Sequence, residues 1–115
     1  MELMDLLLEW KKNDEKYFKN PVYYAGLIKK CACLLFNEEV RVFLFGSIVK
    51  GNWNYSSDID VLVVAPPVEQ LERTKLILKM TKEVGNKVPF QIILCDNNQY
   101  ENWFKKHILD KFIEV

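Results

Sequence analysis

Two aspartates, Asp58 and Asp60, open an otherwise apolar run in "LFGSIVKGNWNYSSDIDVLVV" (44–64), and a Gly-Ser pair, Gly46-Ser47, stands upstream of them. Charged groups at strand positions are costly to bury unless something pairs with them. Side chains alternate along a strand, so Asp58 and Asp60 project from one face, about 7 Å apart. From Val61 onward both faces are apolar, which marks a buried central strand with two carboxylates at its mouth. Like charges held so close repel, and one takes up a proton unless a cation lies between them. A pair of hard oxygen donors suits Mg²⁺ or Mn²⁺, whose shell is completed by water and substrate phosphates.

Gly46-Ser47 supplies the complementary half. It ends a strand, and "GSIVKG" (46–51) can open a short helical turn. Backbone N–H groups at such a turn favour an anion, and glycine lets a phosphate approach the main chain. The Ser47 hydroxyl adds a donor and Lys50 a mobile positive charge. Phosphate at one end and a divalent cation at the other describe a site for a Mg-nucleoside triphosphate. Each half alone is weak, since an Asp-x-Asp at a strand start is often an Asx-turn or a surface pair. Their order and the "SSDID" context make the combination specific.

The elements that must position these residues follow from periodicity and breakers. Residues 2–18 read as a helix with a stripe of Leu3, Met4, Leu7, Leu8 and Trp10. Asn20-Pro21 reads as an N-cap with proline at the first helical position, opening a helix to about Phe36 that buries Tyr24, Leu27, Ile28, Cys31 and Leu35. "VRVFLFG" (40–46) and "DIDVLVVA" (58–65) read as strands, the second stopped by Pro66-Pro67. Pro67 is placed to open a helix to Val84, carrying Leu71, Ile77, Leu78 and Met80 and ending at Gly85. "VPFQIILC" (88–95) is a third strand. A last helix from Asp96 shows Tyr100, Trp103, Phe104, His107 and Ile108 on one apolar stripe, with His107 as a partly buried packing residue. The expectation is one α+β domain over 1–115: a three-stranded mixed sheet flanked by helices, with residues 1–19 as an N-terminal helical extension.

Composition narrows the function classes. Sixteen basic and sixteen acidic residues cancel, which argues against a dedicated nucleic-acid or acidic-membrane binder, because both need a basic patch. Three cysteines, Cys31, Cys33 and Cys95, cannot all pair within the chain and lack zinc-ligand spacing, so they read as small apolar fillers in a reducing cytoplasm. The N-terminal apolar run is too short and too acid-flanked for a signal peptide or a membrane span. The aromatics and lysines of "KYFKNPVYY" (16–24) fit a helix-helix corner better than a base-stacking surface.

"FGSIVKG…SSDIDVLVV" resembles the signature of the DNA polymerase β nucleotidyltransferase superfamily, a Gly-Ser pair followed by Asp-x-Asp on the next strand. Chain length and element order are similar to the minimal nucleotidyltransferase (MNT) branch over roughly residues 24–115, a branch whose members are often paired with a HEPN-domain protein. The resemblance implies that Asp58 and Asp60 hold two Mg²⁺ ions and that Gly46 and Ser47 bind the β/γ phosphates. The family's third carboxylate, on the next strand, falls at Gln91, which cannot act as a base. Asp96 lies five residues on, about 16 Å further along, and reads as an N-cap with Gln99 reaching back. Ile48 stands where many relatives carry arginine, with Lys50 as a partial substitute.

Two readings follow. One is a Mg²⁺-dependent nucleotidyltransferase passing NMP, AMP from ATP by preference, to an acceptor hydroxyl. By the MNT resemblance the acceptor is a HEPN toxin tyrosine, making the chain the antitoxin of a toxin-antitoxin pair. The alternative is a weak or inactive domain that binds nucleotide and neutralises its partner by contact. An antibiotic-modifying transferase is disfavoured, since such enzymes usually need a second domain. The N-terminal stripe is expected to pack on a partner or a second copy, giving a homo-oligomer.

Overall fold

The computed structural model describes residues 2–4, 15–54, 56–85, 89–108 and 110–115. Helix α1 (Pro21–Phe36) begins at Asn20-Pro21 as the sequence indicates. Proline at the first position forfeits only an N–H that would lack a helical acceptor. The Asn20 side chain does not cap α1. Its Nδ2 donates back to the Lys16 carbonyl at 3.0 Å, as its main-chain N–H does at 3.1 Å, closing the helical residues 15–19.

The remaining elements are β1 (Arg41–Phe45), α2 (Ser47–Lys50), β2 (Ile59–Val64), α3 (Gln70–Glu83), β3 (Phe90–Cys95), a helical segment α4 over 97–107, and β4 (Phe112–Glu114). They form one mixed sheet in the order β3-β2-β1-β4. β1 runs antiparallel to β2 and β4, while β2 and β3 are parallel and joined across α3. The sheet has four strands, not the expected three. "FIE" at 112–114 is too short to stand out beside a helix, yet it pairs with Phe43–Phe45 and is pinned there by Arg41. The Arg41 guanidinium donates twice to the Glu114 carboxylate, at 2.9 and 3.0 Å, and lies over the Phe43 and Tyr100 rings.

The central strands β1 and β2 are buried on both faces, which is why they read as continuous apolar runs. One face packs Val42, Leu44, Val61, Val63, Ile92 and Leu94 beneath α1 and α3. The other packs Phe43, Phe45, Leu62, Val64 and Cys95 beneath Tyr100, with Phe104 and Ile108 alongside. Burial, followed by the Asp96 charge, pushes the Cys95 thiol up to about 12, in keeping with a filler.

Three helix expectations need correction. α3 starts at Gln70, after Glu69 rather than at Pro67, and its buried row is Leu76, Met80 and the following Val84. Leu71 and Leu78 fall on the opposite side of the helix at about 100° per residue and are exposed. In α1 the deepest residues are Ala25, Ile28 and Ala32, with Tyr24, Leu27, Cys31 and Leu35 at the margin. In α4 a π-helical stretch, Tyr100–Phe104, widens the turn. Tyr100, Phe104 and Ile108 then face the sheet, while Trp103 and His107 turn outward. His107 is therefore exposed, lying against Trp103 at 5.4 Å, and is not a core residue.

Of the N-terminal stripe, Leu3 and Met4 are exposed, and Leu7, Leu8 and Trp10 lie outside the described residues. Tyr17 and Phe18 belong to the main core. Tyr17 meets Tyr24 and Phe90 edge-on at 4.7 and 5.5 Å, and Phe18 stacks on Trp53 at 4.9 Å. The helix-helix corner expected of "KYFKNPVYY" is what these rings build. No helix among the described residues is long and apolar enough to cross a membrane.

α4 opens with the capping box expected from the sequence: Gln99 N–H donates to Asp96 Oδ1 at 2.8 Å, and Asp96 N–H to Gln99 Oε1 at 3.0 Å. Asp96→Ala leaves the Gln99 N–H without its side-chain acceptor and should lower stability by about 1 kcal/mol. Urea unfolding followed by circular dichroism measures this; an unchanged midpoint would show that the cap contributes nothing.

Candidate functional site

The site forms where β1 ends and β2 and β3 begin. Gly46 leaves β1 with φ 78°, a region costly for other residues, and the four-residue turn α2 follows at once. A Cβ at Gly46 would collide with Asp60 Oδ2, so glycine is demanded twice, by conformation and by proximity. The Val49 and Lys50 N–H groups both donate to the Gly46 carbonyl at 3.1 Å, and Gly51, at φ 84°, closes the turn on the Ser47 carbonyl at 2.9 Å. The N–H groups of Ser47 and Ile48, first in the turn, have no acceptor within it. They remain for a ligand or for water.

Asn54 braces Ser56 and Ser57 ahead of β2. Its Oδ1 accepts from the Ser56 N–H at 2.8 Å and from the Ser56 hydroxyl, while Ser57 Oγ accepts from the Asn54 N–H at 3.0 Å. The Ile59 N–H then donates to the Pro89 carbonyl at 2.7 Å, fixing the start of β2 beside the start of β3. The Asx-turn here centres on Asn54, not on the aspartates.

Strand register sets what surrounds the carboxylates. Asp60 lies opposite Phe45 on β1 and opposite Gln91 on β3, on the sheet face covered farther along by Tyr100 and Phe104. Asp58 is one pleat earlier, just before β2, and is exposed; Asp60 is half-buried and Gln91 exposed. Burial, followed by the Asp58 charge, raises the Asp60 carboxyl above the usual aspartate range. A half-buried carboxylate with a like charge beside it and only oxygen donors at hand fits a hard divalent cation, which would offset both costs.

The other sequence candidates divide. Gly46, Ser47, Asp58 and Asp60 come together at one end of the sheet. Lys50 sits at the end of α2 with its Nζ 3.4 Å from Asp110, directed to that carboxylate rather than held at the turn's N–H groups. Ile48 packs against the core, which accounts for an apolar residue there. Asp96 is at the far end of β3, engaged in its cap. Among the described residues no three His, Cys, Asp or Glu side chains cluster as metal ligands, and the position beside Asp60 on β3 is the amide Gln91. Asn54 and Ser57 have a positioning part that the sequence reading did not assign, although "N-Y-S-S" before a strand is a readable Asx-turn signal.

Comparison with known proteins bears on this arrangement. A family model described as a nucleotidyltransferase domain matches residues 27–114. The chain is similar to a candidate protein adenylyltransferase of Methanocaldococcus jannaschii, 24% identical over 111 residues, covering 96% of this chain and 92% of that protein. Among solved structures it is similar to a candidate nucleotidyltransferase of Sulfolobus solfataricus, with a TM-score of 0.52, 18% identity, and coverage of 81% of this chain and 79% of that one. At that identity the structural likeness is one of fold.

The raised Asp60 carboxyl carries a pH signature. The native state keeps that proton to higher pH than the unfolded chain does, so Asp60 lowers stability as pH rises through its folded pKa, above the ordinary value of about 3.9. Asp60→Asn should therefore raise the melting temperature at pH 7 in EDTA, with the gain shrinking as pH falls toward that value. A variant less stable than wild type at pH 7 would show that the Asp60 charge is compensated within the chain.

Proposed function

The chain belongs to the nucleotidyltransferase domain family, and we propose that it transfers AMP from ATP, with Mg²⁺, to a hydroxyl on another protein. The observation that carries this is the half-buried Asp60, pressed against the Gly46 main chain at the mouth of β2 with Asp58 beside it. Protein as acceptor and AMP as the group transferred are supported by the description of the Methanocaldococcus relative. A tyrosine on a HEPN-domain partner, the acceptor implied by the sequence resemblance, is one such hydroxyl; the chain would then be the antitoxin of the pair.

In this reaction the acceptor oxygen attacks the α-phosphorus of ATP. The bond from that phosphorus to the bridging oxygen breaks, and pyrophosphate leaves with the electron pair. Asp58 and Asp60 would hold the cation, which when bound neutralises phosphate charge and fixes the triphosphate. The Ser47 and Ile48 N–H groups and the Ser47 hydroxyl donate to the phosphates, and Gly46 leaves room for them to approach the main chain. Gln91 accepts no proton, so the acceptor's proton passes to solvent or to a base on the acceptor protein.

Gln91 also favours a second reading, a domain that binds nucleotide but transfers it slowly and acts on its partner by contact. General-base help is typically worth ~10²–10⁴ in rate. One experiment separates the readings. Asp58→Ala combined with Asp60→Ala should keep the fold and abolish Mg-ATP binding in calorimetry, while wild type incubated with a co-purified partner and ATP adds the mass of one adenylyl group. Equal ATP affinity in wild type and double variant would sink the site. Binding without any mass gain would favour the second reading.

A further inference from the structure

We propose that this site holds one divalent cation rather than two, and that Gln91 is the residue that sets the number. The inference rests on the nucleotide-site reading above and concerns the donor set. Parallel pairing places Gln91 directly beside Asp60 on the same face of adjacent strands, both at the open end of the sheet. On its other side Asp60 has the apolar Phe45, and one carboxylate oxygen stands where a Cβ at 46 would be. Any further ligand along this row therefore comes from β3, and β3 offers an amide.

An amide oxygen coordinates a cation weakly and neutralises none of its charge, while the amide nitrogen donates and repels it. Mg²⁺ is normally bound through one or two carboxylates with substrate phosphates making up the shell. Asp58, Asp60 and a triphosphate meet that requirement once. A second cation would have to share the same two carboxylates with no anion of its own. Among the described residues no third carboxylate, cysteine or histidine joins the pair, and Asp96, the nearest acid along β3, is held in its capping box at the opposite end. The acceptor hydroxyl consequently has no second cation to lower its pKa.

The test counts cations directly. Mn²⁺ is titrated into wild type in the presence of a non-hydrolysable α,β-methylene ATP, followed by electron paramagnetic resonance. Wild type should take up a single magnetically isolated Mn²⁺. Gln91→Asp and the near-isosteric Gln91→Glu should each add a second Mn²⁺, bound at least tenfold more tightly than any second equivalent in wild type. That second ion should broaden the spectrum, because ions in two-metal sites sit ~3.5–4 Å apart. Gln91 is exposed, so neither variant disturbs the core, and melting curves check this. Two coupled ions in wild type would overturn the inference, as would one ion in both variants. No Mn²⁺ bound by wild type with the analogue would overturn the nucleotide-site reading itself.

Discussion

The contact on which the site depends is the approach of the Gly46 main chain to the Asp60 carboxylate. It exists because Phe45 and Asp60 are partners in the β1–β2 ladder, so the residue that leaves β1 necessarily arrives beside Asp60. A side chain at 46 would force the strand ends apart or push the carboxylate away, and it would also oppose the positive φ that starts α2. The same glycine thus aims the first N–H groups of the turn and sets their nearness to the acid. The first N–H groups of the turn and the Asp60 carboxylate are coupled through one missing Cβ.

A second constraint explains why this chemistry sits at the mouth of the sheet. β1 and β2 are buried on both faces, by α1 and α3 on one side and by the aromatic row of α4 on the other. A carboxylate deeper in β2 would lose its water on all sides with no partner to replace it. The acids can stand only where the cover ends. The π-helical stretch of α4 contributes here: it keeps Tyr100, Phe104 and Ile108 on the sheet and turns Trp103 outward. Polar edges elsewhere are held by direct pairing, Arg41 with Glu114 at β4 and Asp96 with Gln99 at α4.

What the sequence made legible follows strong local chemistry. Proline at the start of α1, the Asp96–Gln99 box and the two central strands each have a short-range physical cause, visible without tertiary information, and Gly46, Ser47, Asp58 and Asp60 group because those two strands are neighbours in the chain and pair. What escaped depends on contacts between distant segments. Three residues of β4 become a strand only because β1 presents an edge and Arg41 an anchor. The outward turn of His107 depends on a π-helical widening that a regular 3.6-residue period does not contain. The buried side of α3 could not be chosen among Leu71, Leu76 and Leu78 by composition, since leucines occur on both sides and only the sheet decides between them. Lys50 lies 3.4 Å from Asp110, far along the chain, a proximity that spacing around the Gly-Ser turn does not reveal.

The ionisable groups record the same division between structure and function. Arg41 and Glu114 hydrogen-bond face to face, and the guanidinium draws the Glu114 carboxyl below its usual range. That pair is exposed, so its contribution is the modest one of a surface ion pair, ~0.2–1 kcal/mol, and its use is to hold β4 in register. Asp60 departs in the opposite direction, with burial and then a neighbouring carboxylate as the causes. A fold selected for stability alone would put a neutral residue at that position, and the adjacent strand shows one, Gln91, in the matching register. With an acid at 60 beside an amide at 91, the negative charge at this end of the sheet rests on Asp58 and Asp60. A cation carried by a ligand with its own anionic oxygens would offset that charge, and the Ser47 and Ile48 N–H groups, which have no acceptor within α2, lie at the same end of the sheet.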